Sequence, residues 1–366
     1  MGKVISAGHI CLDITPVFQS GTPVREIGKL LVPGKLIQME GANVHTGGSV
    51  ANTGLALKLL GNDVTLLGKV GNDAFGGLIQ NILAEYGAGG LIVDEGSSTS
   101  YSVVLAVPGT DRIFLHNPGA NDTFSSDDIP DEALKDAVLF HFGYPTLMRR
   151  MYENKGKNLK ELFARVKEHG IATSLDLTAV DPDSPAGKTD WSSILADVLP
   201  YVDFFVPSFE ELCFMLDRSG YDKHIAEGGD MTTKSGILEE ADDLAKRCLD
   251  MGCGAVLVKC GMSGMIYRTG SKERLSAVGS GLSLDMDKWA DRSGMQRCFK
   301  AETVKSSSGA GDVSIAAWLT ALMQGETPEV CAMLAAAEGA ASVTSYDALG
   351  GILPLEELKA RIDNGW

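Results

Sequence analysis

Short apolar runs alternate with helical patterns along most of the chain, and this alternation restricts the fold more than any other feature of the sequence. The runs that have the character of buried strands are KVISAGH, DVTLLGKVG, AVLFHFG, IATSLDL, VDFFVPS, GAVLVKCG and GMIYRT. Apolar residues recur at helical spacing over residues 49–60, 74–86, 158–169, 210–216, 239–251 and 312–324. Because strands that alternate with helices form a mostly parallel sheet with helices on both faces, the sequence predicts a three-layer α/β/α fold.

Two segments interrupt this alternation. Residues 14–46 and 98–118 contain extended stretches such as TSYSVVLAVPGTDRIFLHN, in which Pro108 and Gly109 mark a turn. This pattern predicts antiparallel strands with no helix between them. We expect these strands to form one small sheet that projects from the main layer.

Two further segments are polar, and neither has the character of a linker between domains. Residues 217–237 and 270–300 are polar and contain glycine, so we expect them to be surface excursions. A chain of 366 residues of which 44% are hydrophobic can bury a sizeable core. We therefore predict one domain over residues 1–366.

The composition argues against several classes of protein. No apolar run approaches the roughly 20 residues of a membrane helix, and the stretch MGKVISAGHICLDI is too short and polar for a signal peptide. The 7 cysteines are scattered without a CxxC pair, which argues against a disulfide framework or a zinc site. A net charge of −16 would repel nucleic acid and anionic membranes. We expect a cytoplasmic protein whose partner is a small molecule.

The stretch VKSSSGAGDVSIAAWLTALMQG, residues 304–325, places glycines and a carboxylate at the start of an apolar helix. There the amides of Gly309, Ala310 and Gly311 would point toward one position, and the helix dipole would add positive potential. Such a position favours a phosphate. The adjacent Asp312 could take the proton of an alcohol that attacks this phosphate. The simpler reading is a tight turn followed by a helix cap.

A second stretch, TGGSVANTGLALKLLGNDVTLLGKVGNDAFGGLI at residues 46–79, again places glycines before a helix. Together the two stretches resemble the two signature regions of the ribokinase-like (PfkB) family of carbohydrate and nucleoside kinases. The resemblance spans nearly the whole chain. It implies a ribokinase-like fold in which the projecting sheet, residues 14–46 and 98–118, is a lid. It also implies ATP-dependent phosphorylation of a primary hydroxyl of a sugar or sugar-like compound, with Mg²⁺.

The resemblance also implies roles for individual residues. Asp312 would be the catalytic base, and the amides of Gly309, Ala310 and Gly311 would stabilise the transferring phosphoryl group. The residues expected to bind the acceptor are Asp13, which would end the first strand, Gly47, Gly48, Asn52, Arg112 and Asn121. A carboxylate and an amide carbonyl can accept from neighbouring hydroxyls, while amide and glycine N–H groups can donate to them.

Other positions match the family pattern on the nucleotide side. VPSFEEL resembles the element whose glutamate organises magnesium, which implies this role for Glu211, with Ser208 in place of the usual asparagine. VLVKCGMSG resembles the strand and turn beside the nucleotide, which implies contacts from Lys259, Gly261 and Gly264. A surface lysine at a strand end is the alternative for Lys259.

The serine run before the GAGD sequence departs from the family pattern Asp-Thr-x-Gly-Ala-Gly-Asp. Ser307 can replace the threonine, because either hydroxyl can donate to phosphate. Ser306 replaces the carboxylate that helps to form a potassium site in many relatives. Because losing an anionic oxygen weakens binding of a hard cation, dependence on K⁺ is doubtful.

Three alternatives stay open at this stage. A nucleoside kinase would need an aromatic slot for the base, for which Phe18, His116, Phe142 and Tyr144 are candidates, although core packing is the commoner role of such residues. A phosphosugar kinase would need a basic cluster, and Arg112 is the only obvious lid candidate. A non-catalytic sugar sensor is the third possibility. The sequence does not name the sugar, and a dimer through the exposed lid edges is plausible.

Overall fold

The computed structural model describes residues 2–19, 27–107 and 112–366. The strands within these ranges are β1 (Lys3–Gly8), β2 (Cys11–Phe18), β3 (Met39–Gly47), β4 (Asp63–Leu67), β5 (Lys69–Gly71), β6 (Ile92–Asp94), β7 (Tyr101–Leu105), β8 (Ile113–Asn117), β9 (Ala137–Gly143), β10 (Ala172–Asp176), β11 (Phe204–Phe205), β12 (Ala255–Lys259), β13 (Met265–Thr269) and β14 (Ser293–Gln296).

The helices within the same ranges are α1 (Ile27–Leu30), α2 (Ser49–Leu59), α3 (Ala74–Glu85), α4 (Asp131–Leu134), α5 (Arg149–Glu168), α6 (Trp191–Val198), α7 (Phe209–Leu216), α8 (Arg218–Glu227), α9 (Ile237–Asp250), α10 (Lys272–Leu275), α11 (Met286–Trp289), α12 (Ala310–Met323), α13 (Pro328–Ser342) and α14 (Leu355–Asp363). The predicted helices all exist, with ends that shift by one to a few residues, except that α5 begins earlier. Residues 153–156 interrupt α5 with non-helical backbone.

The main sheet has the strand order β14-β13-β12-β11-β10-β9-β1-β4 in the described part of the chain. In this sheet β4, β1, β9, β10, β11 and β12 are parallel to one another, and β13 and β14 are added antiparallel at one edge. Neighbouring residues on a strand point to opposite faces. Val4 packs in one buried cluster with α2, α12 and α13, and Ile5 packs in the other with α5, α6, α7 and α9. The predicted three-layer fold is therefore confirmed.

A smaller sheet stands apart from the main one, in the order β3-β2-β7-β8 among the described residues. It confirms the small projecting sheet, but two details of the prediction are wrong. The short helix α1 lies between β2 and β3, and β2 pairs with β7 in parallel rather than antiparallel. The turn predicted at Pro108 and Gly109 lies outside the described residues.

The reading of residues 270–300 as a surface excursion is also wrong. Strand β14 completes the main sheet, and Trp289 is only 1% exposed. Its ring meets Phe204 and Trp318 edge to face, and its Nε1 donates to the carbonyl of Glu326. The error arose because one large aromatic residue within a polar segment leaves no periodic pattern. Among the described residues, none of the helices combines the length and apolar character required to cross a bilayer.

Candidate active site

The glycine-rich turn before α12 lies where the carboxyl ends of the parallel strands meet. Gly309 caps the helix with φ of 74°, a left-handed conformation that favours glycine. A Cβ on Gly309 would lie 2.3 Å from the Cβ of Ala348, so the turn also has no room for a side chain. Amides in the first turn of a helix lack intrahelical acceptors. With the helix dipole, they make this turn suited to an anion.

The Asp312 carboxylate lies in the first turn of α12 and is held by donors from two other elements. Asn52 Nδ2 donates to Oδ2 over 3.0 Å, and Thr53 Oγ1 donates to Oδ1 over 3.1 Å, both from α2. The hydroxyl of Tyr144, directly after β9, lies 2.8 Å from both carboxylate oxygens. Asp312 is 4% exposed. These contacts hold its carboxylate in one orientation beside the glycine turn.

Burial raises the pKa of Asp312 above its ordinary value, because the charged form loses hydration. Hydrogen bonds from Tyr144 and Asn52 oppose this shift, and so does the positive charge of Lys259. The net shift is upward. A carboxylate with a raised pKa accepts a proton more readily, which suits a general base.

Lys259, at the end of β12, lies beneath the same turn and is not a surface lysine. Its Nζ lies 2.8 Å from Asp176 Oδ1 and 2.5 Å from the carbonyl oxygen of Val206, and the side chain is 12% exposed. A Cβ on Gly311 would lie 3.6 Å from its Cε. The lysine therefore places a positive charge next to the anion-binding turn.

Asp176, at the end of β10, completes this buried charge group. Burial raises its pKa; Lys259 lowers it, whereas Glu211 and Asp312 raise it. A buried cation among carboxylates must be paired to remain charged. The Asp176 carboxylate is the direct partner of Lys259 and fixes its position.

Glu211 caps helix α7 together with Ser208. Glu211 Oε2 accepts from the backbone N–H of Ser208 over 2.7 Å, and Ser208 Oγ accepts from the N–H of Glu211 over 3.3 Å. Within the described residues, no cluster of three or more histidine, cysteine or acidic side chains could hold a metal by itself. Mg²⁺ commonly binds through one or two carboxylates together with phosphate oxygens. Glu211 and Asp176 therefore fit a metal that arrives with a nucleotide.

On the acceptor side, Asp13 and the turn at Gly47 and Gly48 lie against each other, as their shared assignment requires. Asp13 is in β2, the first strand of the small sheet, and not at the end of β1 as predicted. A Cβ on Gly47 would lie 2.2 Å from Asp13 Oδ2, so glycine is needed for this approach. Burial raises the pKa of Asp13, while hydrogen bonds from Cys11 and Ser102 oppose the shift.

Asn121 does not have the surroundings expected of an acceptor ligand. It is fully buried, its Oδ1 accepts from the N–H of Ile10, and its Nδ2 donates to the carbonyls of Ile10 and Pro118. Both ends of the amide are thus occupied by backbone. Asn121 braces the segment between β1 and β2 rather than presenting a group to a ligand.

Arg112, in the small sheet, reaches the serine run before α12. Its guanidinium donates to Ser307 Oγ over 3.3 Å and also contacts Ser308 Oγ. The small sheet is therefore tied to the anion-binding turn. Gly261 and Gly264, with φ of 52° and 108°, form the turn between β12 and β13, and their contact with a nucleotide stays a prediction.

Two of the four rings considered for a nucleobase slot have other contacts. Phe142 is buried on the opposite face of the main sheet, where it packs against Phe140 and Phe163. Tyr144 is committed to Asp312 through its hydroxyl. Phe142 therefore belongs to the core, and the Tyr144 hydroxyl is engaged by Asp312.

Sequence reasoning missed Thr53 and Asp176, and it named Asn52 and Tyr144 without foreseeing their contact with Asp312. Tyr144 and Asp176 each follow or end a strand that the sequence predicts, and the strand-end rule could have selected them. Thr53 adjoins Asn52 and could have been found one residue further along α2. The left-handed φ of 67° that turns Tyr144 toward Asp312 leaves no sequence signal.

The sequence also matches a known protein family. The chain matches the model of the pfkB family of carbohydrate kinases over residues 11–354. The chain belongs to this pfkB family.

Individual relatives of this pfkB chain are distant. The probable fructokinase-3 of Arabidopsis thaliana is 25% identical over 229 residues, which are 62% of this chain and 61% of the relative. The chain thus matches less than two thirds of that relative. Arabidopsis thaliana ribokinase, solved with ribose and ATP, has a TM-score of 0.69 at 20% identity over 98% of both chains. Fructokinase from Xylella fastidiosa, solved with ATP, has a TM-score of 0.70 at 19% identity over 99% of this chain and 98% of its own. The solved structures confirm the ribokinase-like fold.

We predict that Tyr144→Phe moves the acid limb of the pH profile of kcat/KM to higher pH. The substitution removes a hydrogen bond that lowers the pKa of Asp312, so a larger fraction of the base is protonated at a given pH. The rate should therefore fall most at acid pH and recover as the pH rises. Steady-state assays across the pH range measure this shift. Tyr86→Phe, on the surface end of α3, is the matched control. An unmoved limb, or one displaced to lower pH, would contradict the role given to Tyr144.

Proposed function

We propose that this chain transfers the γ-phosphoryl group of ATP to a primary hydroxyl of a sugar, with Asp312 as the general base. One observation carries the proposal: a buried carboxylate with a raised pKa lies in the first turn of the helix that begins with Gly309, Ala310 and Gly311. Phosphoryl transfer needs positioning, charge stabilisation and a base, and this turn supplies all three.

The chemistry follows from these positions. Asp312 takes the proton of the hydroxyl, the alcohol oxygen forms a bond to the γ-phosphorus, and ADP departs with the electrons of the bond that breaks. The amides of Gly309 to Gly311 and the Lys259 ammonium stabilise the negative charge on the phosphoryl oxygens. Ser307 adds a hydroxyl donor. Mg²⁺, held by Glu211 and Asp176 together with the phosphates, would neutralise charge on the nucleotide.

A sugar is the acceptor that the surroundings support best. Asp13, Gly47 and Gly48 present a carboxylate and backbone amides, which match vicinal hydroxyls. The relative named as a fructokinase and the ribokinase solved with ribose agree with this class. A nucleoside acceptor is less well supported, because Phe142, one of the rings considered for its base, is buried in the core. The proposal places the enzyme in the cytoplasm, where its unpaired cysteines would stay reduced.

Asp312→Asn tests the proposal most simply. The amide cannot accept the proton, so we expect kcat to fall by about 10²–10⁴-fold, while binding of the sugar and of ATP stays within a few fold. A coupled assay of ADP release against pentoses, hexoses, keto-acid sugars, inositols and nucleosides identifies the acceptor first. Asp287→Asn, an exposed aspartate on α11, should leave the rate unchanged. Turnover close to wild type in Asp312→Asn would overturn the assignment of the base.

We propose that potassium has little effect on the rate. Ser306 supplies one neutral hydroxyl, which accepts from the N–H of Ser308 over 3.2 Å. A neutral oxygen binds a hard cation less strongly than a carboxylate does. Exchange of Na⁺ for K⁺ at constant ionic strength should change kcat by less than about twofold, in keeping with that weak affinity. A large stimulation would mean that backbone carbonyls form the cation site without help from residue 306.

We propose that two copies of the chain pair through the edge strand β8. Its residues Ile113, Phe114 and Leu115 are 38%, 54% and 55% exposed, which is unusual for three consecutive apolar residues on a sheet edge. Sedimentation of the wild type should give a dimer, and Phe114→Ser with Leu115→Ser should give a monomer. Leu36→Ser, an exposed leucine outside the strands, is the control. A monomeric wild type at micromolar concentration would contradict this interface.

A further inference from the structure

Two buried histidines beside the acceptor residues have ring nitrogens without hydrogen-bond partners. Within the described residues, neither Nδ1 nor Nε2 of His9 has a partner, and His116 Nε2 has none. His9 is 2% exposed. A buried polar atom that makes no hydrogen bond is costly, so a ligand that supplies one is favoured at this position.

The backbone holds His9 firmly at this position. Its N–H donates to the carbonyl of Gly143 at the end of β9, and its carbonyl accepts from the N–H of Val50 in α2. These two hydrogen bonds fix the backbone from which the His9 side chain extends. The Cβ of a residue replacing Gly48 would lie 2.6 Å from His9 Nδ1, so the ring packs directly against the turn assigned to the acceptor.

The two rings connect the two carboxylates of the site. The His9 ring lies 6.1 Å from the ring of Tyr144, whose hydroxyl donates to Asp312. On the other side, the His116 ring lies 5.3 Å from that of His9. His116 Nδ1 lies 3.0 Å from Ser102 Oγ, which in turn hydrogen-bonds Asp13. The pair thus lines the interval between the base and the carboxylate expected to hold the acceptor.

Burial favours the neutral form of both imidazoles. Burial lowers the pKa of His9 well below its usual value, and His116 lowers it further. Burial also lowers the pKa of His116, against the opposing charge of Asp122. A neutral imidazole has one N–H donor and one acceptor nitrogen. One donor together with one acceptor suits a hydroxyl group, which can both donate and accept, better than a charged phosphate or carboxylate, which can only accept.

The spacing of the rings argues against an aromatic ligand between them. With centroids 5.3 Å apart and planes tilted by 43°, the imidazoles are already in the range of direct ring contact. A nucleobase could not enter without separating them.

We propose that His9 and His116 form a hydroxyl-binding imidazole pair that contacts the acceptor and selects it by its hydroxyl groups. The inference rests on the proposed kinase function and adds the two residues that set its acceptor class. His9 contributes two free nitrogens and His116 one. Asp13 would bind one hydroxyl of the acceptor, and another would react at Asp312. The two histidines would bind the hydroxyls that lie between these two.

The test replaces each ring by one of similar size that has no nitrogen. D-fructose, D-ribose, myo-inositol and adenosine are assayed with ATP by coupled ADP release. In His9→Phe and His116→Phe we expect the KM of the preferred polyol to rise by about tenfold or more, as for the loss of hydrogen bonds at a buried site. The KM of ATP and kcat should change by less than about threefold, because the rings touch neither the nucleotide side nor the reacting atoms. His9→Asn, which keeps a donor and an acceptor, should recover part of the affinity. His169→Phe, at the end of α5, is the control.

A measurement of acceptor binding to the wild type does not depend on whether the phenylalanine variants fold. The wild type labelled with ¹⁵N-histidine is titrated with the preferred polyol in the absence of ATP. We expect the ring nitrogens of His9 to shift on binding, since they gain hydrogen bonds, and those of His169 to stay unchanged.

The possible results distinguish a failure of the proposed kinase function from a failure of the imidazole pair. A wild type that phosphorylates none of these four compounds and no other sugar or inositol in the wider screen would contradict the proposed function and the inference together. Turnover of a polyol with an unchanged KM in both phenylalanine variants, or with no shift of the His9 nitrogens, would overturn the imidazole pair and leave the kinase function intact.

Discussion

The contact on which the rest of the site depends is the one that holds the Asp312 carboxylate. Its donors come from α2 and from the end of β9, which are separated from Asp312 by 260 and 168 residues in the chain. Only the parallel sheet, which brings the ends of its strands to one edge, can gather them. The same edge places Lys259 and its partner Asp176 beneath the glycine turn. Burial of so many charged groups is tolerable because each is paired or hydrogen-bonded. The fold therefore places a carboxylate with a raised pKa and a largely buried, paired lysine beside the glycine turn.

Much of this arrangement could be predicted from the sequence. The period of the apolar residues indicated the main sheet and the helices that cover it, because period and burial are linked by strand and helix geometry. The Gly-Ala-Gly turn and Asp312 also fit an ordinary tight turn and helix cap, so it was the family resemblance that selected them. The family resemblance added Asp13, Gly47 and Gly48, which the structure brings together around one carboxylate. Their contact with an acceptor stays a prediction.

What the sequence could not show were contacts decided by tertiary packing. Asn121 carries the groups of a ligand residue, but its amide is consumed by the backbone of Ile10, and no local pattern reveals this. Trp289 looked like part of a polar surface segment because a single buried aromatic residue has no period. The turning of Tyr144 toward Asp312 depends on an unusual φ, and the loss of partners at His9 depends on what surrounds it on every side. Sequence patterns report periodic burial; they do not report which polar atoms find each other.

The central claim is that the acceptor hydroxyl meets Asp312 in line with the phosphate turn. A crystal structure with the acceptor and a non-hydrolysable ATP analogue tests it most directly. The account predicts a primary hydroxyl oxygen within hydrogen-bond distance of an Asp312 carboxylate oxygen, opposite the γ-phosphate that lies on the amides of Gly309 to Gly311. To admit this hydroxyl, Tyr144 or Asn52 must give up part of its contact with the carboxylate. An acceptor bound elsewhere, with Asp312 still fully engaged by Tyr144, Asn52 and Thr53, would contradict the account.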